Sequence, residues 1–272
     1  MLAATAATAA LGAQSTVPAN TCALVGRPHF LPAVPEASGI TQAAGVLWTH
    51  NDSNGPVLFR LDASGRSAPV AVAGAAVQDW EDLASAPCSS GTCLYIGDIG
   101  DNRGVRERIT IYRVPLPGPD STSTPPATAI HVRYPDGPHD AEALLVTRQA
   151  GTFVITKDMP SRVYHMSASA NSGETGTLAF VRTLNEKIRI TGAAASRDGR
   201  WVALRSNSRL LIYTLENFVK SRSPIRVDLA GVREPQGEGL TFGGAGELYL
   251  VSEGGRKNAG GVLTRIRCDF LQ

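Results

Sequence analysis

The feature that most restricts how this chain can fold is an internal repeat. A short core of small, acidic and apolar residues occurs five times, as ASGIT, WEDLA, AEALL, TGAAA and GEGLT, centred on Gly39, Asp82, Ala143, Ala193 and Gly239. The centres are 43, 61, 50 and 46 residues apart. Each core is followed by a turn and a β-rich run with a polar end: VLWTHND, CLYIGDIGD, TFVITKD, WVALRS and LYLVSEG. A third run comes next (VLFRLD, ITIYRV, RVYHM, LLIYTL, VLTRIR), and four units add a fourth (PVAVAG, TAIHVRY, TLAFVRTL, PIRVDL). Gly, Pro, Asp, Asn and Ser punctuate these runs, as they do antiparallel strands. Four strands in every ~40–50 residues is the period of a β-propeller blade. The expectation is an all-β fold, a five-bladed β-propeller of four-stranded antiparallel blades spanning residues 20–272. A sixth blade hidden in the 61-residue interval or in 27–35 is the alternative.

The fifth unit offers only three strands, and the orphan run TCALVG at 21–26 supplies the fourth. The N-terminal strand should therefore complete the last blade and set Cys22 beside Cys268. Four cysteines allow three pairings. Strand closure selects Cys22–Cys268, and the four-residue turn SSGT leaves Cys88–Cys93 as the second bridge. Zinc is disfavoured, because no CxxC occurs and no His lies within four residues of a Cys. Disulfides imply an oxidising compartment. Residues 1–13, MLAATAATAALGA, read as a signal-peptide remnant, small and apolar without an acid. A secreted or periplasmic monomer is expected.

Charge excludes other classes. Lys and Arg number 26 against 24 Asp and Glu, a net +2, and no basic run exceeds two residues, so a nucleic-acid partner is not expected. No stretch of 18 apolar residues is present to span a membrane.

In a propeller blade, the start of the first strand and the end of the second share one mouth of the central channel. The repeats place His50, Asn51 and Asp52 there from unit one, and Asp79, Glu81, Asp82, Asp98, Asp101 and Asn102 from unit two. Unit three adds His139, Asp140, Glu142, Lys157 and Asp158; unit four adds Thr191, Arg205 and Ser206; unit five adds Glu238 and Glu253. Converging carboxylates repel, so they take up protons or recruit a cation. Hard oxygen donors favour Ca²⁺. The turn GDIGDN (97–102) is oxygen-rich, but Asp and Asn in turns commonly only cap them. No GxSxG elbow and no phosphate loop are present. Trp48, Trp80 and Trp201 are expected to pack between blades, with Trp80 also able to wall a ligand site.

The strings WTHNDSNGPVLFRLD, DWEDLA, LYIGDIGDNRGVRERITIYRV, HDAEALLV, ITGAAASRDGRWVALRS and GEGLTFGGAGELYLVSEG resemble a family of exported bacterial β-propeller proteins. More distantly, the AEAL and GEGL cores resemble β-propeller phytases and esterase-like phytase domains. That resemblance implies acidic residues that bind Ca²⁺, with Glu142, Glu238 and Glu253 matching best. The phytases have six blades, and TGAAA lacks the Glu. The reading is a Ca²⁺ site built from Asp52, Glu81, Asp98, Glu142, Glu238 and Glu253. His50 would move a proton, and Lys157 and Arg205 would hold the anionic group of a small ester, phosphate or lactone during hydrolysis. The alternative is a non-catalytic propeller module that binds a ligand or partner at the same ring.

Overall fold

The computed structural model describes residues 21–62, 64–166, 173–255 and 259–271. The segment 1–13, read as a signal remnant, lies outside them. The chain begins with β1 (Cys22–Leu24) and β2 (His29–Leu31). Blade one is β3 (Ala37–Ala43), β4 (Val46–Asn51), β5 (Val57–Leu61) and β6 (Ser67–Ala71). Blade two is β7 (Trp80–Cys88), β8 (Gly91–Asp98), β9 (Ile109–Pro115) and β10 (Thr128–Arg133). Blade three is β11 (Ala141–Thr147), β12 (Gly151–Thr156), β13 (Arg162–Met166), then, beyond β14 (Gly176–Thr177), β15 (Ala179–Thr183). Blade four is β16 (Gly192–Ala195), β17 (Trp201–Arg205), β18 (Arg209–Thr214), the single turn α1 (Leu215–Val219) and β19 (Ile225–Asp228). Blade five is β20 (Gln236–Phe242), β21 (Glu247–Glu253) and β22 (Gly261–Cys268).

Each blade is a four-stranded antiparallel sheet, and five of them close the propeller. β1 supplies the outer strand of blade five in the register Cys22↔Cys268, and those two cysteines are bonded. Cys88 and Cys93 form the other disulfide. Two additions lie outside the repeat: β2 also pairs with β22, and β14 runs parallel to β10 on the edge of blade two. The long interval in unit two holds no sixth blade. Its extra length is spent on the loop 99–108 and on residues 116–127. Part of the latter is laced to blade one through Ala71 N–H to Thr122 O (2.9 Å) and Thr124 N–H to Ala71 O (2.9 Å).

The core is not one body but five seams, one between each pair of neighbouring blades. Ala43, Trp48 and Leu58 of blade one meet Trp80, Leu83 and Ile96 of blade two. Ile109 and Ile111 meet Leu144 and Val154 of blade three. Leu145 and Ile155 meet Val202 and Leu204 of blade four. Leu210 and Ile212 meet Leu240 and Leu250 of blade five. Val251 and Leu263 meet Ile40 and Leu61, which closes the ring. Side chains alternate along a strand, so Leu144 and Leu145 serve opposite seams. Both faces of every blade are therefore apolar, which is why the strands read as continuous hydrophobic runs. Trp48 and Trp80 are buried in the first seam and Trp201 lies against the fourth.

The five inner strands meet at the channel axis, where little space remains. A Cβ on Gly39 would lie 2.4 Å from the Leu83 nitrogen, and one on Gly239 would lie 2.4 Å from the Ser38 oxygen. The matching residues are Ala143 in blade three and Gly192 in blade four. Unit four thus enters one residue out of step with the alignment on Ala193, because the Ala193 amide occupies the place of the Leu83 and Leu144 amides. Asp82 alone among the five carries a longer side chain, and it fills the axis. Its Oδ1 accepts from Leu83 N–H (2.8 Å), and its Oδ2 accepts from Leu144 N–H (2.8 Å) and Ala193 N–H (3.0 Å).

Candidate metal centre at the acidic mouth

The acidic residues reach the mouth through a recurrent irregularity. In blades one, two, three and five the first strand carries one extra residue near its start relative to the second. The shifts fall between Ala37 and Ile40, Trp80 and Asp82, Ala141 and Ala143, and Gly237 and Leu240. A β-bulge of this kind re-aims a side chain out of the ladder. The residues it releases include Ser38, Glu81, Glu142 and Glu238. Blade four pairs Gly192 with Arg205 and Ala193 with Leu204 without a shift, and it is the unit without the Glu.

Glu81, Asp140 and Glu142 converge, with one carboxylate oxygen of each within 4.8 Å of the other two. Glu81 and Glu142 are buried (7% and 3% exposed), so their charges gain little from water. The Lys157 ammonium pairs with Glu142. Asp140 Oδ1 accepts from Asp101 N–H (2.7 Å), which clasps the loop of blade two to blade three. Gly100 makes room for the cluster: a Cβ there would stand 2.3 Å from Glu81 Oε1 and 2.5 Å from Asp79 Oδ2. Burial, and then the charges of Asp79, Asp140 and Glu238, push Glu81 well above the usual carboxylate range. Burial and the Asp140 charge raise Asp79 as well.

A second group of acids faces this one from blades one and five. Burial, a hydrogen bond with Glu36 and the charges of Glu36 and Glu253 push Asp52 up to about 7. Burial holds Glu238 at about 7, although Gln236 donates to it (2.9 Å). Glu253 is raised chiefly by burial and then by Glu36. Lys157 is within charge range of Asp79, Glu81, Glu238 and Glu253 and opposes each of these rises.

Four residues singled out from the sequence have other surroundings. Asp98 is turned away from the triad: it accepts from Asp79 N–H (3.0 Å) and pairs with Arg106 (3.0 Å). Asp101 caps its own loop by accepting from Val105 and Arg106 N–H (3.0 and 2.8 Å), so GDIGDN is a capped turn beside the cluster. His50 is fully buried against Trp80, edge to face at 5.6 Å, and burial pushes it down to about 4. It is a neutral ring within the first seam. Arg205 is also fully buried. Its guanidinium donates to Gly239 O (2.7 Å), Val251 O (2.8 Å) and the Glu234 carboxylate, which ties blade four to blade five. The repeat places Asp140 and Asp79 at the mouth, but the sequence gives neither as a ligand.

The sequence matches no protein-family model, and no curated protein is similar to it in sequence. Solved structures do share its fold. An aldose sugar dehydrogenase from Streptomyces coelicolor in its PQQ-bound form superposes with a TM-score of 0.57 at 11% identity, over 92% of this chain and 98% of that one. A gluconolactonase from Xanthomonas campestris, XC5397, superposes with a TM-score of 0.50 at 15% identity, over 87% of this chain and 73% of that one. At such identities the likeness is one of fold: this chain is a β-propeller of the architecture that those enzymes use. Neither comparison bears on the phytase resemblance, which rests on the quoted motifs.

Proposed function

We propose that the acidic mouth is a Ca²⁺ site and that the protein is an exported, metal-assisted hydrolase of a small anionic ester, phosphate or lactone. The observation that carries the metal is the triad Glu81, Asp140 and Glu142. Oxygens on opposite sides of a Ca²⁺ ion, each at about 2.3–2.6 Å, are about 5 Å apart. The three oxygens all lie within 4.8 Å of one another, inside that span. Three hard carboxylates with one ammonium among them leave a charge deficit that a divalent cation fills. The two disulfides support an oxidising compartment, and among the described residues no helix is long and apolar enough to cross a membrane.

Glu81, Asp140 and Glu142 would hold the ion, and Asp79 would add negative charge behind them. Bound Ca²⁺ supplies Lewis acidity, polarising a carbonyl or phosphoryl oxygen and acidifying a bound water. Glu238, held at about 7, is suited to take and return a proton near neutral pH, as a general base should be. Lys157 brings the positive charge for the anionic group of the substrate. His50 and Arg205 are not assigned these tasks, because both are enclosed by the fold. The gluconolactonase carries lactone chemistry on this fold, which makes lactones the first substrates to assay.

One observation favours the second reading, binding without turnover: Asp82 closes the channel beneath the mouth, so a substrate has only the rim to enter. The test is thermal melting with chelator and with added Ca²⁺, paired with turnover of a δ-lactone, an aryl ester and an aryl phosphate. Ca²⁺ should raise the melting temperature, because it binds the folded state alone. Glu142→Gln and Glu81→Gln should each blunt that rise. A melt indifferent to both chelator and Ca²⁺ would remove the metal. A Ca²⁺-dependent melt with no turnover would leave the binding module.

A further inference from the structure

The opposite end of the channel holds a cavity of about 480 Å³, within the range of small-molecule pockets. All five blades line it, through the far ends of their first strands. Its chemistry is the reverse of the acidic mouth. Among the described residues no Asp or Glu lines it, and the charged ones that do are Arg148 of blade three and Arg197 of blade four. Both are exposed, and neither forms an ion pair among the described residues. The acid nearest in sequence, Asp198, is already engaged by the Ser196 hydroxyl (2.6 Å) and the Arg200 amide (3.0 Å).

The lining is mixed, with more apolar than polar surface. Ala84, Ala194, Val146 and Phe242 are among the apolar residues that line it, beside Gln42, Thr92 and Thr241. The hydroxyls of Thr41 and Ser85 are consumed within the wall, Thr41 donating to Ser85 (3.0 Å) and Ser85 to Gln42 O (2.9 Å). An entering ligand thus finds contact area inside and positive charge at the rim. The axial carboxylate of Asp82 separates this chamber from the acidic mouth, so the two ends act as separate sites.

The geometry points to a second ligand site here, for a small organic carboxylate with an apolar tail: the tail enters the chamber and the carboxylate meets Arg148 and Arg197. A guanidinium offers a carboxylate paired donors, and the attraction of exposed charges weakens with salt.

The experiment is calorimetric titration of the full chain with decanoate below its micellar concentration. It is repeated with 1-decanol, with the double variant Arg148→Gln/Arg197→Gln, and with Glu142→Gln. Both arginines are solvent-exposed, so the double variant should keep the fold, and the decanol arm uses the unaltered protein. Saturable one-to-one binding is expected. It should weaken about ten-fold in the double variant and for decanol, the scale of two exposed ion pairs. It should also weaken in high salt and stay unchanged in Glu142→Gln. Absence of saturable binding would overturn the site. So would equal affinity for decanoate and decanol, equal affinity in the arginine variant, or a loss confined to Glu142→Gln.

Discussion

Asp82 offers the sharpest test of how the propeller is held at its axis. It is fully buried, and burial pushes it up to about 8 from the ordinary aspartate value of 3.8, against the pull of the Leu144, Leu83 and Ala193 amides. Below about pH 4 the side chain is protonated folded and unfolded alike. Between about 4 and 8 the folded state keeps a proton that the unfolded state has released. The unfolded state then binds fewer protons, so the stability this group contributes falls as pH rises through that window. At about 1.4 kcal/mol per pK unit, the loss between pH 5 and pH 8 is about 4 kcal/mol. Asp82→Asn removes the titration while keeping an oxygen for two of the amides. The variant should sacrifice one amide bond at every pH, about 1–3 kcal/mol for a buried unmet donor. The assay is urea unfolding of both proteins at pH 5 and pH 8, with chelator present so that the metal site is constant. The gap between them should move by about 4 kcal/mol in favour of Asn on going to pH 8. Parallel profiles would refute the reasoning and mean that the three amides hold the carboxylate ionised throughout.

The same geometry fixes other outcomes. Cys22→Ser/Cys268→Ser opens a bridge spanning 246 residues and should lower stability by up to roughly 4–5 kcal/mol, whereas Cys88→Ser/Cys93→Ser opens a five-residue span and should have a smaller effect in the same denaturation assay. A non-reducing peptide map linking Cys88 to either terminal cysteine would contradict both pairings. Gly39→Ala sets a Cβ 2.4 Å from the Leu83 nitrogen and 2.6 Å from His50 Nε2, so the melt should drop steeply, while Gly45→Ala, with open space but positive φ, should lose only about 1 kcal/mol. Arg205→Ala strands the Glu234 carboxylate in the fourth seam and should cost about 3–5 kcal/mol of stability, with any residual activity unchanged per folded molecule.

The architecture was legible because the repeat is enforced by packing. Every blade buries both faces, so each unit must supply strands at a fixed period, and closure requires a partner for the Cys268 end of β22, which TCALVG provides. The bulged glutamates were legible for the same reason: Glu81, Glu142 and Glu238 stand at one place in the repeat. What the repeat could not reveal are the partners drawn from irregular loops. Asp98 and Arg205 each end a second strand, as a mouth residue should. Their fates were decided by Arg106 in the 99–108 loop and by Glu234 before β20, and neither partner follows any period. His50 was lost to the mouth because Gly39 is small enough to let blade two close over it. Asp82 did leave a signal, as the one side chain beyond alanine in a column otherwise made of Gly39, Ala143, Gly192 and Gly239.

That odd residue also explains how an acidic mouth can sit on a narrow axis at all. Inner strands close enough to exclude a Cβ bring backbone amides of three blades to one point, where water cannot reach them. Unmet, three buried N–H groups would cost about 1–3 kcal/mol each. A single carboxyl has two oxygens with room for all three, and an aspartate is short enough to place them on the axis. A longer acid would protrude into the mouth above or the chamber below. The residue before it, Glu81, is turned to the opposite task by the bulge between Trp80 and Asp82. One extra residue in β7 therefore divides two adjacent acids between fold and site. Removing the Glu81 carboxylate should disturb metal binding with little effect on closure, and removing that of Asp82 should do the reverse.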